Sequence, residues 1–172
     1  MTAASNFLTR EEIFTFWQGP LSNWHMRSFR VQGVTYNCVE QWMMASKART
    51  FGDQAALDKI MAAASPKDQK AAGRAVQGYD DNIWQALNDD LVLVGGLGKF
   101  TQHEDLFRYL MDTGNRLLIE ASPHDKIWGV GLAESDDRIL DRSKWLGSNK
   151  QGKMLTRVRN LLRQAASLES RR

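Results

Sequence analysis

At 172 residues the chain is long enough to bury a substantial core, and we expect a single domain over residues 1–172. Its composition, 42% hydrophobic and 25% charged, is that of an ordinary globular protein, and a formal charge of +3 excludes a polybasic one. The single cysteine, Cys38, excludes an internal disulfide and favours a buried structural thiol. The longest apolar run, Leu91 to Leu97, is too short for a bilayer, so we expect a cytoplasmic location without a membrane partner.

The first half of the chain predicts a hairpin and then several helices. Residues 1–12 read as a loose lead-in, and the alternation over 29–36 about Gly33 predicts a hairpin. Helical patterns follow over 38–50, 53–63 and 66–76, the last with Ser65 as N-cap and Pro66 in the first turn. Another helix follows Asp80, with Trp84, Leu87 and Leu91 at helical spacing.

The second half predicts a helix over 103–111 ended by Gly114, a strand over 116–120 and a terminal helix over about 150–168. An apolar stripe on the terminal helix consists of Met154, Leu155, Val158, Leu161 and Leu162. Its basic residues are either a solvated face or a positive rim for phosphate or nucleic acid: Lys150, Lys153, Arg157, Arg159, Arg163, Arg171 and Arg172. The predicted fold is mainly helical α+β, a compact domain with a small β-sheet.

The segment "YNCVEQWMMASKA" carries two charges, Glu40 and Lys47, on an otherwise apolar helix. At 100° per residue both fall in one sector with Met43 and Met44, and burying either charge alone is costly. Their separation along the axis, about 10 Å, is too long for a tight ion pair and suits two groups that flank a sugar. The alternative is that each side chain reaches out to a separate surface partner.

Two further segments contain residues suited to chemistry on a sugar. In "EASPHDKIWGVG", Glu120 and Asp125 surround a proline turn before Trp128 and Gly129, which indicates either a glycosidic-bond hydrolase or a turn with capping acids. In "WLGSNKQGK", glycines flank Asn149 at a helix entry, which suits either a phosphate or a plain loop.

Near the start of the chain, Ser22 and Asn23 offer polar atoms, and Trp24 offers a stacking plate. The histidines at 25, 103 and 124 form no metal-binding pattern, so we expect neither a catalytic metal nor another cofactor.

Seven segments follow one another along the chain: "GPLSNW", "GVTYNCVEQWMMASKARTFGD", "SPKDQKAAGRAV", Trp84, "GKFTQHEDL", "LMDTGNRLLIEASPHDKIWGVGL" and "WLGSNKQGKMLTRVR". In this order they resemble the NADAR family. The match covers roughly residues 14–164, the expected core of the domain. The resemblance implies a compact, mainly helical α+β fold and cleavage of N-glycosidic bonds to ribose-type sugars.

Family members act on two kinds of substrate. One branch is similar to a hydrolase of early riboflavin-biosynthesis intermediates, and another removes ADP-ribose from guanine in DNA. The resemblance therefore implies a phosphoribosyl- or ADP-ribosyl-containing substrate, with DNA carrying ADP-ribosylated guanine among the partners. The alternative is a non-catalytic ADP-ribose or nucleotide reader.

The resemblance also assigns roles. It implies catalytic roles for Glu40, Lys47 and Asp125, where a carboxylate stabilises positive charge on the sugar and activates water. Lys47 either binds phosphate, protonates the leaving nitrogen, or attacks the opened sugar as a Schiff base. The implied substrate-binding residues are Ser22, Asn23, Trp24, Trp84, Trp128, Gly129 and Asn149. Gln151 and Gly98 depart from the family pattern, and we expect both to loosen local packing.

Overall fold

The computed structural model describes residues 6–169. By its internal contacts the chain divides into two compact units. One is continuous, Asn23–Phe107, and is called here the central unit; the other combines the described residues up to Ser22 with those from Arg108 onward and is called the terminal unit. That residues 1–172 form a single domain stays a prediction.

The central unit begins with the predicted hairpin, whose antiparallel strands are β2 (Phe29–Val31) and β3 (Val34–Tyr36). Its two turn residues, Gln32 and Gly33, both have positive φ angles, 50° and 81°, as a tight two-residue hairpin turn requires. Helices α1 (Val39–Thr50), α2 (Gln54–Ala62), α3 (Pro66–Arg74) and α4 (Asp81–Thr101) follow. The hairpin and the predicted helices are confirmed.

Helix starts in this unit follow from side-chain caps. The Ser65 hydroxyl accepts a hydrogen bond from the backbone N–H of Asp68, and the Asp80 carboxylate accepts from those of Asn82 and Ile83. Helix α1 lies at the centre and packs against α2, α3 and α4. The Trp42 indole donates to the backbone oxygen of Leu91 at 2.6 Å, which fixes α1 against α4.

The terminal unit contains a strand that the sequence does not predict. Strand β1 (Ile13–Phe16) pairs in parallel with β4 (Leu117–Glu120), and Ile13 lies opposite Leu117. Helix α5 (Glu104–Asp112), which begins in the central unit, leads to β4; two short 3₁₀ helices, Asp137–Leu140 and Arg142–Lys144, precede α6 (Lys150–Glu169). The core of this unit is apolar: Ile13, Ile119, Ala121, Val130, Leu132 and Ile139.

Two expectations about packing in these elements are wrong. The described part of the lead-in is not loose, because the N–H of Leu8 donates to the backbone oxygen of Leu140 at 2.8 Å. Leu161, a member of the predicted apolar stripe of the terminal helix, is 43% exposed and so does not belong to the packed face of that helix. The mainly helical α+β class itself is confirmed, with two two-stranded sheets among residues 6–169.

The basic residues of α6 do not form one uniform surface. Arg159 is only 3% exposed and donates to the Thr113 hydroxyl at 2.7 Å, while Arg163 donates to the backbone oxygen of Gly114 at 2.6 Å. Burial and the neighbouring cations Arg163 and Arg116 lower the pKa of Arg159. Both residues therefore hold the turn between α5 and β4, and Arg171 and Arg172 lie outside the described residues.

None of the helices that the structure describes is long and apolar enough to span a membrane.

Candidate functional site

Glu40 is a buried carboxylate in the first turn of α1. Glu40 is 2% exposed, and its Oε2 accepts a hydrogen bond from the Trp24 indole Nε1 at 3.2 Å. Its backbone N–H donates to the oxygen of Asn23 at 3.0 Å. The structure therefore brings together three predicted site residues, and the position of Glu40 at a helix N-terminus favours a negative charge there.

Lys47 lies two turns further along α1 and has aromatic neighbours. Its Nζ is 4.0 Å from the centre of the Tyr79 ring and 5.9 Å from that of Trp84, within the range of cation–π attraction. Burial, followed by the positive charge of Arg74, lowers the pKa of Lys47, while Asp81 opposes both. A lysine with a lowered pKa is closer to the neutral form that acts as a nucleophile or base.

Glu40 and Lys47 thus have separate partners on a common helix. The indole of Trp24 contacts the carboxylate, and Tyr79 and Trp84 contact the ammonium group. Whether the two groups flank a sugar or each reach a separate surface partner stays a prediction, because both side chains lie on the stripe that also carries Met44.

Helix α3 supplies two cations that the sequence analysis does not single out. Lys70 Nζ is 5.7 Å from the centre of the Trp24 ring, and the charge of Arg74 acts on Lys47. They are hard to identify from sequence because basic residues on a short helix usually form a solvated face. The signal that was present is Gly73, a small residue beside them in an otherwise regular helix.

Lys99 on α4 is a buried lysine that the sequence pattern does not single out. It is 1% exposed, and burial lowers its pKa to about 7. Cys38 is fully buried, its Sγ donates to Gln69 Oε1 at 3.1 Å, and burial raises the pKa of its thiol to about 11. The prediction that Cys38 is a buried structural thiol is confirmed. For Lys99, the sequence signal is a charged residue near the end of an otherwise apolar helix.

In the terminal unit, the Asp125 carboxylate shapes its own loop. Its Oδ1 accepts hydrogen bonds from the backbone N–H groups of Ile127 at 2.9 Å and Trp128 at 2.8 Å. This is the turn-capping role that the sequence left open. The predicted catalytic role of Asp125 stays a prediction.

Asn149 joins β4 to the acidic loop. Its Nδ2 donates to the backbone oxygen of Leu118 at 2.9 Å, and its Oδ1 accepts from the backbone N–H of Glu120 at 3.0 Å. Its own N–H donates to the backbone oxygen of Gly129 at 3.1 Å. Asn149 is 1% exposed and has a φ of 51°, a left-handed conformation that Asn tolerates better than most residues.

The loop and the entry to α6 form one structure. The N–H groups of Lys150 and Gln151 donate to the backbone oxygens of Ile127 and Trp128, and Lys150 Nζ is 5.7 Å from the centre of the Trp128 ring. A Cβ at Gly129 would lie 2.8 Å from the backbone oxygen of Asp125, so the turn has no room for a larger residue. The predicted residues Asp125, Trp128, Gly129 and Asn149 are therefore neighbours.

Ser22 is buried in the terminal unit, and its backbone N–H donates to the oxygen of Gly19. The two departures from the family pattern pack tightly, contrary to expectation. Gln151 donates from its side chain to the backbone oxygen of Leu21 at 3.2 Å, and a Cβ on Gly98 would lie 2.9 Å from the Phe29 ring.

Comparisons with known proteins identify the family of this chain. The family model described as the NADAR domain matches residues 11–163. The chain is 41% identical over 124 residues to N-glycosidase R617 of Acanthamoeba polyphaga mimivirus, and this alignment covers 72% of this chain and 73% of the relative. It is 31% identical over 158 residues to N-glycosidase Npun_R5314 of Nostoc punctiforme, which covers 91% and 94%.

A solved structure has the same fold. The NMR structure of the Escherichia coli protein YbiA superposes with a TM-score of 0.75 and 23% identity, over 94% of this chain and 90% of that one. The family model matches well over half of the residues in this sequence. On these findings the chain belongs to the NADAR family.

Proposed function

We propose that this protein is an N-glycosidase that hydrolyses the C–N bond between a ribose-type group and a nitrogen base. Relatives named N-glycosidases, matching most of the chain, support a hydrolase of N-glycosyl bonds. The observation that carries the site assignment is the buried Glu40 carboxylate, which accepts a hydrogen bond from Trp24 on the same helix as the half-buried Lys47. A buried acid and a perturbed lysine on one helix are typical of a catalytic site.

The proposed reaction uses Glu40 as the charged group beside the sugar. When the C–N bond breaks, its electron pair leaves with the base, and positive charge spreads over the anomeric carbon and the ring oxygen. The Glu40 carboxylate stabilises this charge and accepts a proton from the water that adds to the anomeric carbon. The leaving nitrogen takes up a proton, so the products are the free base and a ribose-type sugar.

Lys47 has two chemically distinct roles in this scheme. As an ammonium group it donates the proton to the leaving nitrogen or holds a phosphate. As a neutral amine it attacks C1 of the ring-opened substrate, where C1 is double-bonded to the leaving nitrogen. The base then departs as an amine, and water hydrolyses the resulting imine on Lys47 to the free sugar and the lysine amine. The lowered pKa of Lys47 favours the availability of the neutral amine.

The other predicted residues keep supporting roles in the proposal. Asp125 is the second carboxylate, and its turn contacts favour a role in holding the loop that carries Trp128. We propose that the substrate-binding residues are Ser22, Asn23, Trp24, Trp84, Trp128, Gly129 and Asn149. The base released is either guanine in ADP-ribosylated DNA or an aminopyrimidine from an early riboflavin intermediate.

One experiment tests both the activity and the substrate. The protein is incubated separately with DNA carrying ADP-ribosylated guanine and with a ribosylaminopyrimidine phosphate, and the released products are separated by chromatography. We expect release from at least one substrate and a fall of a hundredfold or more, roughly, for Glu40→Gln. Glu11→Gln, which neutralises an exposed carboxylate, is the matched control.

Three results separate the alternatives. Binding of both substrates without any product supports the reader function and contradicts the enzyme. Near-normal turnover in both Glu40→Gln and Lys47→Ala contradicts the site assignment. Borohydride reduction followed by mass spectrometry traps an imine as a stable amine, so the absence of a sugar adduct on Lys47 contradicts the covalent role.

A further inference from the structure

Helices α1 and α3 approach each other closely at Met44 and Gly73. A Cβ built on Gly73 would lie 2.0 Å from the Met44 Sδ, so the space beside this glycine is filled by the methionine side chain. Lys70 and Arg74 are one turn apart on α3, and Gly73 lies on the same face between them. The face formed by Lys70 and Arg74, called here the α3 cation face, therefore borders the α1 stripe.

The facing residues of α1 and α3 follow the same order along the two helices. At one end, Trp24 contacts both helices, because its indole N–H donates to Glu40 and its ring lies 5.7 Å from Lys70 Nζ. At the other end, the charge of Arg74 acts on Lys47. Glu40, Met44 and Lys47 on α1 thus face Lys70, Gly73 and Arg74 on α3.

The charges along this border are mostly positive. Lys47, Lys70 and Arg74 are three cations beside the carboxylate of Glu40, and the Arg74 guanidinium makes no hydrogen bond or ion pair with any residue that the structure describes. Like charges held near one another repel, and an anion bound among them relieves that repulsion. Trp24, which is 43% exposed, adds an aromatic surface beside the cations.

We infer that the α3 cation face binds the phosphate groups of the ribosyl substrate, with Lys70 and Arg74 as specificity-determining residues. This inference rests on the proposed function, because it places the phosphates beside the helix that carries Glu40 and Lys47. The two residues are about 6 Å apart along the α3 axis, a span that suits one phosphate or a diphosphate. Guanidinium and ammonium groups are the side chains that proteins use for phosphate oxygens.

Binding without turnover gives the first test. Calorimetry measures the dissociation constants of ADP-ribose, ribose 5-phosphate and adenosine for the wild type, Lys70→Ala and Arg74→Ala. We expect each variant to weaken the two phosphorylated ligands by about tenfold and to leave adenosine unchanged. Lys59→Ala, which removes an exposed cation from α2 in the same unit, keeps the wild-type constants.

Turnover gives the second test. With a cleavable N-riboside, Lys70→Ala raises KM for the phosphorylated substrate, while kcat and the parameters of the dephosphorylated substrate stay at wild-type values. Arg74→Ala raises the same KM, and its kcat also changes because Arg74 lowers the pKa of Lys47. The charge-retaining variants Lys70→Arg and Arg74→Lys recover most of the affinity. Circular dichroism identifies any variant that is unfolded, and the charge-retaining pair then decides the outcome.

Two results overturn the inference. One is unchanged affinity for ADP-ribose and ribose 5-phosphate in both alanine variants. The other is an equal loss for adenosine, which indicates a structural effect instead of phosphate recognition. If the wild type binds ADP-ribose through these residues but cleaves no N-riboside, the proposed function fails while the phosphate site stands.

Discussion

The indole Nε1 of Trp24 donates a hydrogen bond to Oε2 of Glu40 at 3.2 Å, and the same ring lies 5.7 Å from Lys70 Nζ. One aromatic side chain thus contacts both the candidate catalytic carboxylate and a lysine proposed to bind phosphate. Its N–H fixes the direction of the carboxylate, whereas its ring face offers a stacking surface. These two roles are separable by substitution.

Trp24→Phe keeps an aromatic ring and removes the indole N–H. We expect kcat to fall roughly ten- to hundredfold with little change in KM, because a hydrogen bond to a charged group is lost. Steady-state kinetics on the cleaved N-riboside measures both parameters. Trp17→Phe, at an exposed tryptophan of the terminal unit, is the control. A rise in KM at unchanged kcat contradicts the orienting role and leaves only stacking.

The pKa of Lys47 responds in opposite directions to two neighbouring substitutions. Arg74 lowers this pKa and Asp81 raises it. Arg74→Gln therefore raises the pKa of Lys47, and Asp81→Asn lowers it further. NMR titration of ¹³C-labelled lysine side chains measures the shift, with Lys47→Arg assigning the resonance. Shifts of the same sign in both variants contradict the electrostatic arrangement.

Lys99 makes the stability of the protein depend on pH. Burial lowers its folded-state pKa to about 7, below the ordinary 10.5, so the unfolded state binds more protons between these values. The free energy of unfolding therefore rises with pH across this window. Lys99→Met removes that contribution, and we expect the variant-minus-wild-type difference in unfolding free energy to be more positive at pH 6 than at pH 9.

Urea titrations at several pH values between 6 and 10 measure this difference. Lys59→Met, at an exposed position of α2, is the matched control and should show no such trend. A difference that stays constant across the pH range contradicts a depressed pKa at Lys99.

Asn149 is expected to be structurally indispensable in the terminal unit. Asn149→Ala removes two hydrogen bonds from a buried side chain and places alanine at a φ of 51°, which we expect to destabilise the fold by about 2 to 4 kcal/mol. Asn149→Gly loses the same bonds without the backbone strain, so it is less destabilising by about 1 kcal/mol. Thermal unfolding measures both, and exposed Asn82→Ala is the control. Equal losses in the two variants contradict the strain argument.

Much of the fold could be predicted from the sequence because the signals for helix caps and turns are local. The cap at Ser65, the hairpin turn at Gly33 and the left-handed Gly114 after α5 depend on a few adjacent residues. Strand β1 could not be predicted, because four residues show little hydrophobic periodicity and the partner strand β4 is distant in sequence. The exposure of Leu161 could not be predicted, because the apolar stripe of the terminal helix does not show how wide the packed face of that helix is.

The candidate site could be predicted from the sequence only where charged residues interrupt the apolar pattern of a single helix. Glu40 and Lys47 meet that condition, and the resemblance gave them roles. Lys70 and Arg74 do not, since their importance depends on the contact between Met44 and Gly73, which joins two helices. Lys99 meets the condition at the end of α4, but its degree of burial depends on neighbouring elements.

The parallel pairing of β1 with β4 has a consequence for synthesis. The ribosome releases β1 early, yet its partner strand emerges only after the whole central unit has been made. The continuous central unit has all of its own helices available by then and can fold first, whereas the terminal unit must wait to close a long loop. A nascent chain stalled before Leu117 is therefore expected to protect the central helices from protease while β1 stays cleavable.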